Sequence, residues 1–538
     1  MQSSLKGSSL VIAGLLFICL VAVYSPVLTG PAEFIADDYY YVLDNEAIRS
    51  LSPYSLAGIW SRPMRNDYFP VTITSFAVER ALYGLDPRLF RFTNLVLFYL
   101  IVLLSFSLSV DLNKDLQAGK DVSVRAAAFF SAVLMAFHPV NVESIAAIAN
   151  RKELLYVLLG LLSFRYYAVR PRTIFSMATA LVFMVLAQFS KGTAVVLPLV
   201  FLVYELLEGQ AGKGLKSRLL HLLPFFFSSA LVFSVQWSVA LQAGVITAHP
   251  GLSVESRIGG IVRILNTAVQ HVLLPLNLTY DYEIRWPDSL NIGEEWVLPL
   301  LMIAGIAWFS YKRRYRILFF AAAFLIPLLP YLSIVPLTGI TKRHMVYYDH
   351  YLLFSCMAGP LLLTRWSLSI SGRWKIPFLL AASCLSLIFM VQDNHLAAFW
   401  KTRETLYKRS IAVNPRLPRA YYFLGQLYIE QRRCDEAANS LSRGLSLQQD
   451  APDMNLYPVL GDAYSCSGNY LEAEKTYRQY LAYRPNDVRT LQNLSGALIM
   501  LGKEREAKEV IKRWLLLSPE DPAALHALSL LEKSIGGR

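Results

Sequence analysis

Long apolar runs separated by short polar turns fill residues 1 to 395, and a polar, repeating pattern takes over from about Phe399. A helix needs about 20 apolar residues to cross a hydrocarbon core of about 30 Å. Runs of that order lie at about 9–29, 90–110, 125–142, 153–169, 172–189, 193–208, 218–243, 296–311, 316–332, 350–366 and 376–392, which predicts eleven spans. A further segment, Arg257 to Leu276, is interrupted by Arg263, Gln270 and His271, and reads as an interfacial or partly inserted helix on the outer side. The first run is followed by no clear small-residue cleavage site and reads as an uncleaved anchor.

Lys and Arg in short connections resist translocation and mark the cytoplasmic side. They cluster at Lys114, Lys120 and Arg125, at Arg165, Arg170 and Arg172, at Lys213, Lys216 and Arg218, at Lys312 to Arg316, and at Arg365 to Lys375. The N-terminus is then cytoplasmic, and the loops at 30–90, 138–152, 244–295 and 333–349 lie outside with the C-terminal region. With 55% hydrophobic and 17% charged residues the chain is far from soluble averages. The net charge of +12 sits partly in the cytoplasmic loops, and no nucleic-acid-binding motif accompanies it, so a nucleic-acid partner is not expected.

The polar region repeats a grid of small and large residues. Leu424, Gly425, Tyr428, Ala437 and Leu441 recur as Leu460, Gly461, Tyr464, Ala473 and Tyr477, and again as Leu494, Ser495, Leu498, Ala507 and Ile511. Ala473 to Ala507 and Pro485 to Pro519 are each 34 residues apart, the period of tetratricopeptide repeats. Two domains follow: residues 1–395 in the membrane, and 396–538 as an α-solenoid with repeats at 418–453, 454–487 and 488–521 and capping helices on both sides. Such an array offers a surface to a protein partner, or serves as a spacer. Cys434 and Cys466 lie near the turns of adjacent repeats, where a disulfide is conceivable.

The outer loops carry the candidate chemistry. Asp37 and Asp38 follow the first span, in a loop that also holds Asp44, Asn45, Arg62, Arg65, Asp67 and Tyr68. They are either solvated interface residues or a carboxylate base. The next outer loop gathers His138, Glu143, Asn150, Arg151, Lys152 and Glu153, which equally suit helix ends. Lys191, on the predicted outer face, runs against the inside bias of cations and is a candidate anion ligand. The last loop, with Lys342, Arg343, His344, Tyr347, Tyr348, Asp349, His350 and Tyr351, suits a lipid phosphate or an interfacial aromatic belt. No CxxC or HExxH spacing appears, so no obligatory metal or cofactor is expected.

The acidic first loop, FHPVNVESIAAIANRKELL, SKGTAVVLPLVFLVYE and YYDHYLLF occur in an order that resembles the GT-C glycosyltransferases. More narrowly, the chain is similar to the transmembrane and tetratricopeptide repeat-containing, O-mannosyltransferase-like proteins and their bacterial relatives. The resemblance implies an all-α, GT-C type helical bundle in the cell inner membrane with a periplasmic or otherwise extracytoplasmic solenoid. It implies a polyprenyl-phosphate sugar as donor and a protein or glycan as acceptor. Asp37 or Asp38 then matches the catalytic carboxylate, removing the acceptor proton in a single, inverting displacement. Arg343, Lys191 and Arg151, assisted by His344 and His350, become candidate ligands of the departing phosphate. Glu143, His138, Asp349 and Tyr348 become candidates for acceptor or sugar contacts. The other readings are an oligosaccharyltransferase or lipid-glycan modifying enzyme on the same scaffold, and a non-catalytic scaffold for an envelope or secretion complex.

Overall fold

The computed structural model describes residues 2–64, 67–113, 121–168, 172–207, 214–242, 252–287, 289, 293–312, 314–332, 344–370, 372–447 and 454–536. They form two units, Met1–Thr402 and Arg403–Arg538. The division falls just after the Gly372–Phe399 helix, which runs several residues past the apolar run that the sequence delimits.

The first unit is a helical body. Among the described residues, three helices are long and apolar enough to cross a membrane: Pro87–Leu112, Lys216–Gln242 and Gly372–Phe399. A pair bent by 56°, Ser123–Ala136 and Pro139–Ala146, makes a fourth if taken as one span. The eleven predicted runs are thus not eleven long helices. Several are shorter apolar helices that break at polar residues, among them Ile174–Ser190 and Gly192–Leu207, which flank Lys191, and Ile317–Tyr331. Apolar run length predicts helix; it does not reveal where a polar residue interrupts the backbone ladder. The break at Lys191 is packed inside the protein: the Thr72 hydroxyl donates to the Ser190 carbonyl at 2.9 Å.

Packing around these breaks is close. The Arg151–Ala168 and Ile174–Ser190 helices form a hairpin tied by Ser163 Oγ donating to the Ala180 carbonyl at 2.7 Å. Phe164 meets Phe201, Tyr204 and Phe319 in an aromatic core. The first polar loop forms the helices Pro53–Ser61 and Pro70–Tyr83, which bury Phe34, Tyr41, Phe69 and Phe76 together with Phe90 and with Ile148 of the second loop.

The Arg257–Leu276 segment forms the helix Val254–Leu273, which is not among the span candidates of the described residues. Its glycines lie against the next segment so tightly that a Cβ on Gly260 would meet the Trp286 ring at 2.0 Å. That segment supplies a departure from an all-helical body, a two-stranded antiparallel ribbon of β1 (Tyr282–Arg285) and β2 (His344–Tyr347). Tyr282 pairs with Tyr347 and Arg285 with His344.

The second unit is a run of helix pairs, from Arg403–Val413 through Pro418–Glu430, Cys434–Ser446, Leu456–Cys466, Tyr470–Tyr483, Val488–Met500 and Glu504–Leu517 to Pro522–Gly536. The small residues at the repeat positions allow the helices to touch: a Cβ on Gly425 would meet Leu441 at 2.4 Å, and one on Gly461 would meet the Tyr477 ring at 2.4 Å. The turns within the pairs need a left-handed residue, supplied by Gly468 and Gly502 and, in the first repeat, by Arg432. Cys434 and Cys466 are joined in a disulfide with their Cα atoms 5.4 Å apart.

Candidate active site

Asp37 and Asp38 point to different environments. Ala36 takes a left-handed backbone, φ 51°, in which a non-glycine residue is uncommon. Asp38 is fully buried: its Oδ2 accepts from the Ile35 amide at 3.0 Å and its Oδ1 from the Ala149 amide at 2.7 Å. Burial pushes its carboxyl up to about 6, against the opposing pull of the Arg91 guanidinium and the two amides. Asp37 remains exposed, and its carbonyl accepts from the Tyr41 amide at 3.1 Å as the chain enters the single π-turn Tyr39–Leu43.

The second loop is folded around its own polar groups. His138 ends the helix before the Pro139 bend, with Nε2 2.9 Å from the Val272 carbonyl. Arg151 is buried and committed within the protein: it pairs with Glu79, donates to Asn94 Oδ1 at 2.9 Å and donates to the Phe90 carbonyl at 2.7 Å. Its role here is to close the first loop on the second. Glu143 is equally engaged, receiving the His350 amide at 3.0 Å on one oxygen and lying 2.7 Å from His350 Nδ1 on the other.

Lys191 and His350 meet at Glu153. The Lys191 ammonium is ion-paired with Glu153, and His350 Nε2 lies 3.7 Å from the same carboxylate oxygen. Lys191 also sits over the rings of Tyr331 and Tyr351, 4.9 and 5.3 Å from their centroids, and these two rings stack at 3.8 Å. Lys152, Asp67 and Glu143 are its other charged neighbours. Lys152 lies over the Tyr41 ring at 4.8 Å, and the Tyr41 hydroxyl donates to Asp67 at 3.0 Å. The first loop, the second loop, the break at Lys191 and the last loop therefore converge.

Asp349 faces away from its neighbour His350. One oxygen lies 2.6 Å from His271 Nδ1 and the other accepts from the Tyr282 hydroxyl at 2.8 Å. Tyr348 stacks on His350 at 5.2 Å and lies 5.8 Å from the Tyr280 ring. Arg343 lies outside the described residues, and His344 is placed only as a backbone position of β2. Glu153, His271 and Tyr282 are partners to which the sequence alone assigned no role at the site. Their one signal was a polar residue in an apolar context: Glu153 opens a long apolar helix, and His271 interrupts another. Among the described residues no three His, Cys, Asp or Glu side chains are grouped as a metal site would need.

Two tetratricopeptide repeat families match the second unit, over residues 418–450 and 467–531. Protein O-mannosyl-transferase TMTC1 of Mus musculus is 29% identical over 171 residues, 30% of this chain and 17% of that protein. Protein O-mannosyl-transferase TMTC3 of Homo sapiens is 21% identical over 565 residues, 90% of this chain and 58% of that protein. The chain thus spans well under two thirds of these curated relatives. Among solved structures, the oligosaccharyltransferase of Archaeoglobus fulgidus tethered to an acceptor peptide covers 80% of this chain and 58% of its own, at 12% identity and a TM-score of 0.41. The chain is similar to protein O-mannosyl-transferases across most of its length and carries tetratricopeptide repeats in its second unit.

Proposed function

We propose that this protein is an integral membrane glycosyltransferase of GT-C type that moves a sugar from a polyprenyl-phosphate donor to a protein or glycan acceptor on the extracytoplasmic face. The observation that carries the reading is the convergence of Lys191, Lys152, Glu143, Glu153 and His350 from separate loops of one apolar helical body. Ammonium groups beside aromatic faces suit a phosphate whose charge grows as it departs. The similarity to proteins named O-mannosyl-transferases supports the same reaction class.

In this reading Asp37, exposed at the entrance of the π-turn, is the base that takes the acceptor proton, and inversion follows from a single displacement. Lys191 holds the donor phosphate together with His350, and Arg343 and His344 are further candidate ligands from the last loop. Arg151 is left out of this set because its guanidinium is occupied inside the protein. His138 and Glu143 hold the loops that present the site, and Asp349 and Tyr348 border it. The tetratricopeptide repeats recruit the acceptor or a partner protein. The first unit spans the inner membrane up to eleven times, some spans being broken helices.

The test is mass spectrometry of glycopeptides and glycolipids from cells carrying the intact protein, none, or the D37N variant at matched level. Loss of one sugar mass in both the deletion and D37N supports the transferase. A deletion phenotype fully rescued by D37N and by K191M points instead to a non-catalytic scaffold.

A further inference from the structure

Lys191 and Glu153 form a nearly closed ion pair, with side-chain exposures of 11% and 2%. If a phosphate takes the ammonium, Glu153 is left as a buried carboxylate without its counter-charge, which is costly. Among the described residues, the group that can take its place is His350 Nε2, 3.7 Å from the Glu153 oxygen that Lys191 holds. Glu143 fixes the opposite edge of that ring, 2.7 Å from Nδ1, and also receives the His350 amide, so the imidazole cannot turn away.

We propose that Glu153 is an exchangeable counter-ion: binding of a phosphodiester at Lys191 hands Glu153 to His350, whose Nε2 takes one proton from solvent. The inference rests on the donor-site reading above and adds a positioning residue and a proton to it. Before binding, burial first, and then the ammonium groups of Lys191 and Lys152 that the ring faces, keep a proton off His350. Neutralising Lys191 removes the larger repulsion and frees the carboxylate at once. Among the described residues, the other groups around the ring are engaged elsewhere. Glu143 is bound to Nδ1 and to the amide, Asp349 is held by His271 and Tyr282, His138 contacts the Val272 carbonyl, and Tyr348 and Tyr351 present ring faces or edges.

The test uses the full-length protein in detergent micelles and methyl undecaprenyl phosphate, a phosphodiester whose single charge does not change over the range used. Affinity is measured between about pH 6 and 9, and proton uptake by calorimetry in buffers of different ionisation heat. Intact protein is expected to take up about one proton per ligand and to lose about tenfold in affinity per pH unit on the alkaline side. E153Q and H350N are expected to bind with no uptake and a flat profile, and E153D to keep both. Dimethyl phosphate and undecaprenol separate headgroup from lipid: uptake with the former assigns the exchange to phosphate alone, uptake only with the lipid diester assigns it to the membrane-borne headgroup, and either supports it. A flat profile in the intact protein, or an undiminished slope in E153Q, overturns the exchange while tight diester binding leaves the donor site standing. Equal binding of undecaprenol and its phosphodiester overturns both.

Discussion

Asp38 accepts the backbone amide of Ala149 at 2.7 Å, joining the first polar loop to the second across 111 residues of sequence. Its other oxygen accepts the Ile35 amide at 3.0 Å, closing the turn that leaves Asp37 outside. Two adjacent carboxylates of one motif therefore sit in different settings, one tied into the fold and one exposed.

The first prediction separates them. D37N is expected to lower the transfer rate about 10²–10⁴-fold, the range for loss of a general base, with an unchanged melting temperature. D38N, which replaces an acceptor oxygen with an amide nitrogen facing a backbone donor, is expected to cost about 1–3 kcal/mol. Rate and thermal unfolding measured on both variants in the same detergent decide the assignment.

Asp38 also predicts a pH dependence. Its folded-state carboxyl, at about 6, is raised from 3.8, so the protonated form is the one the fold favours. Its contribution is fully present below about 4 and is lost as pH rises through about 6, a difference of about 3 kcal/mol. The stability difference between intact protein and D38N is expected to shift by that order between those two limits, and to be level above them. Chemical unfolding across the window measures it.

Arg151 and Glu79 form a buried pair further tied to Asn94 and Phe90. R151A or E79A alone strands a buried charge and is expected to cost about 3–5 kcal/mol, whereas the apolar double variant R151M/E79M recovers much of it. R151K is expected to fail to rescue, because one ammonium cannot reproduce the guanidinium fork. Yield of monodisperse protein and melting temperature are the readouts.

The Cys434–Cys466 bond closes a loop of 32 residues between adjacent repeats. Chain-entropy arguments give about 3–4 kcal/mol for a loop of that length. C434S and C466S are each expected to destabilise the second unit, and the double variant no more than either one. Thiol labelling of the full chain before and after reduction checks that the bond forms in cells, as it would in an oxidising compartment.

The helical class and the repeats were legible because both are local patterns. Apolar runs predict helices, and a 34-residue period of small and large side chains predicts paired helices whose Gly425 and Gly461 let neighbours touch. The polar clusters were legible too, since Asp38, Glu143, Lys191 and His350 stand out against apolar surroundings. Their division of labour was not. Only the tertiary structure brings the Ala149 amide to Asp38, closes Arg151 on Glu79, sets His271 against Asp349 and places Glu153 between Lys191 and His350. Each of those partnerships joins separate elements of the fold, and residue type alone cannot say which buried charge will find which counter-charge. The same holds for the broken spans: hydropathy averages over a window, whereas a helix ends where one carbonyl finds a partner outside its own ladder, as Ser190 does at Thr72.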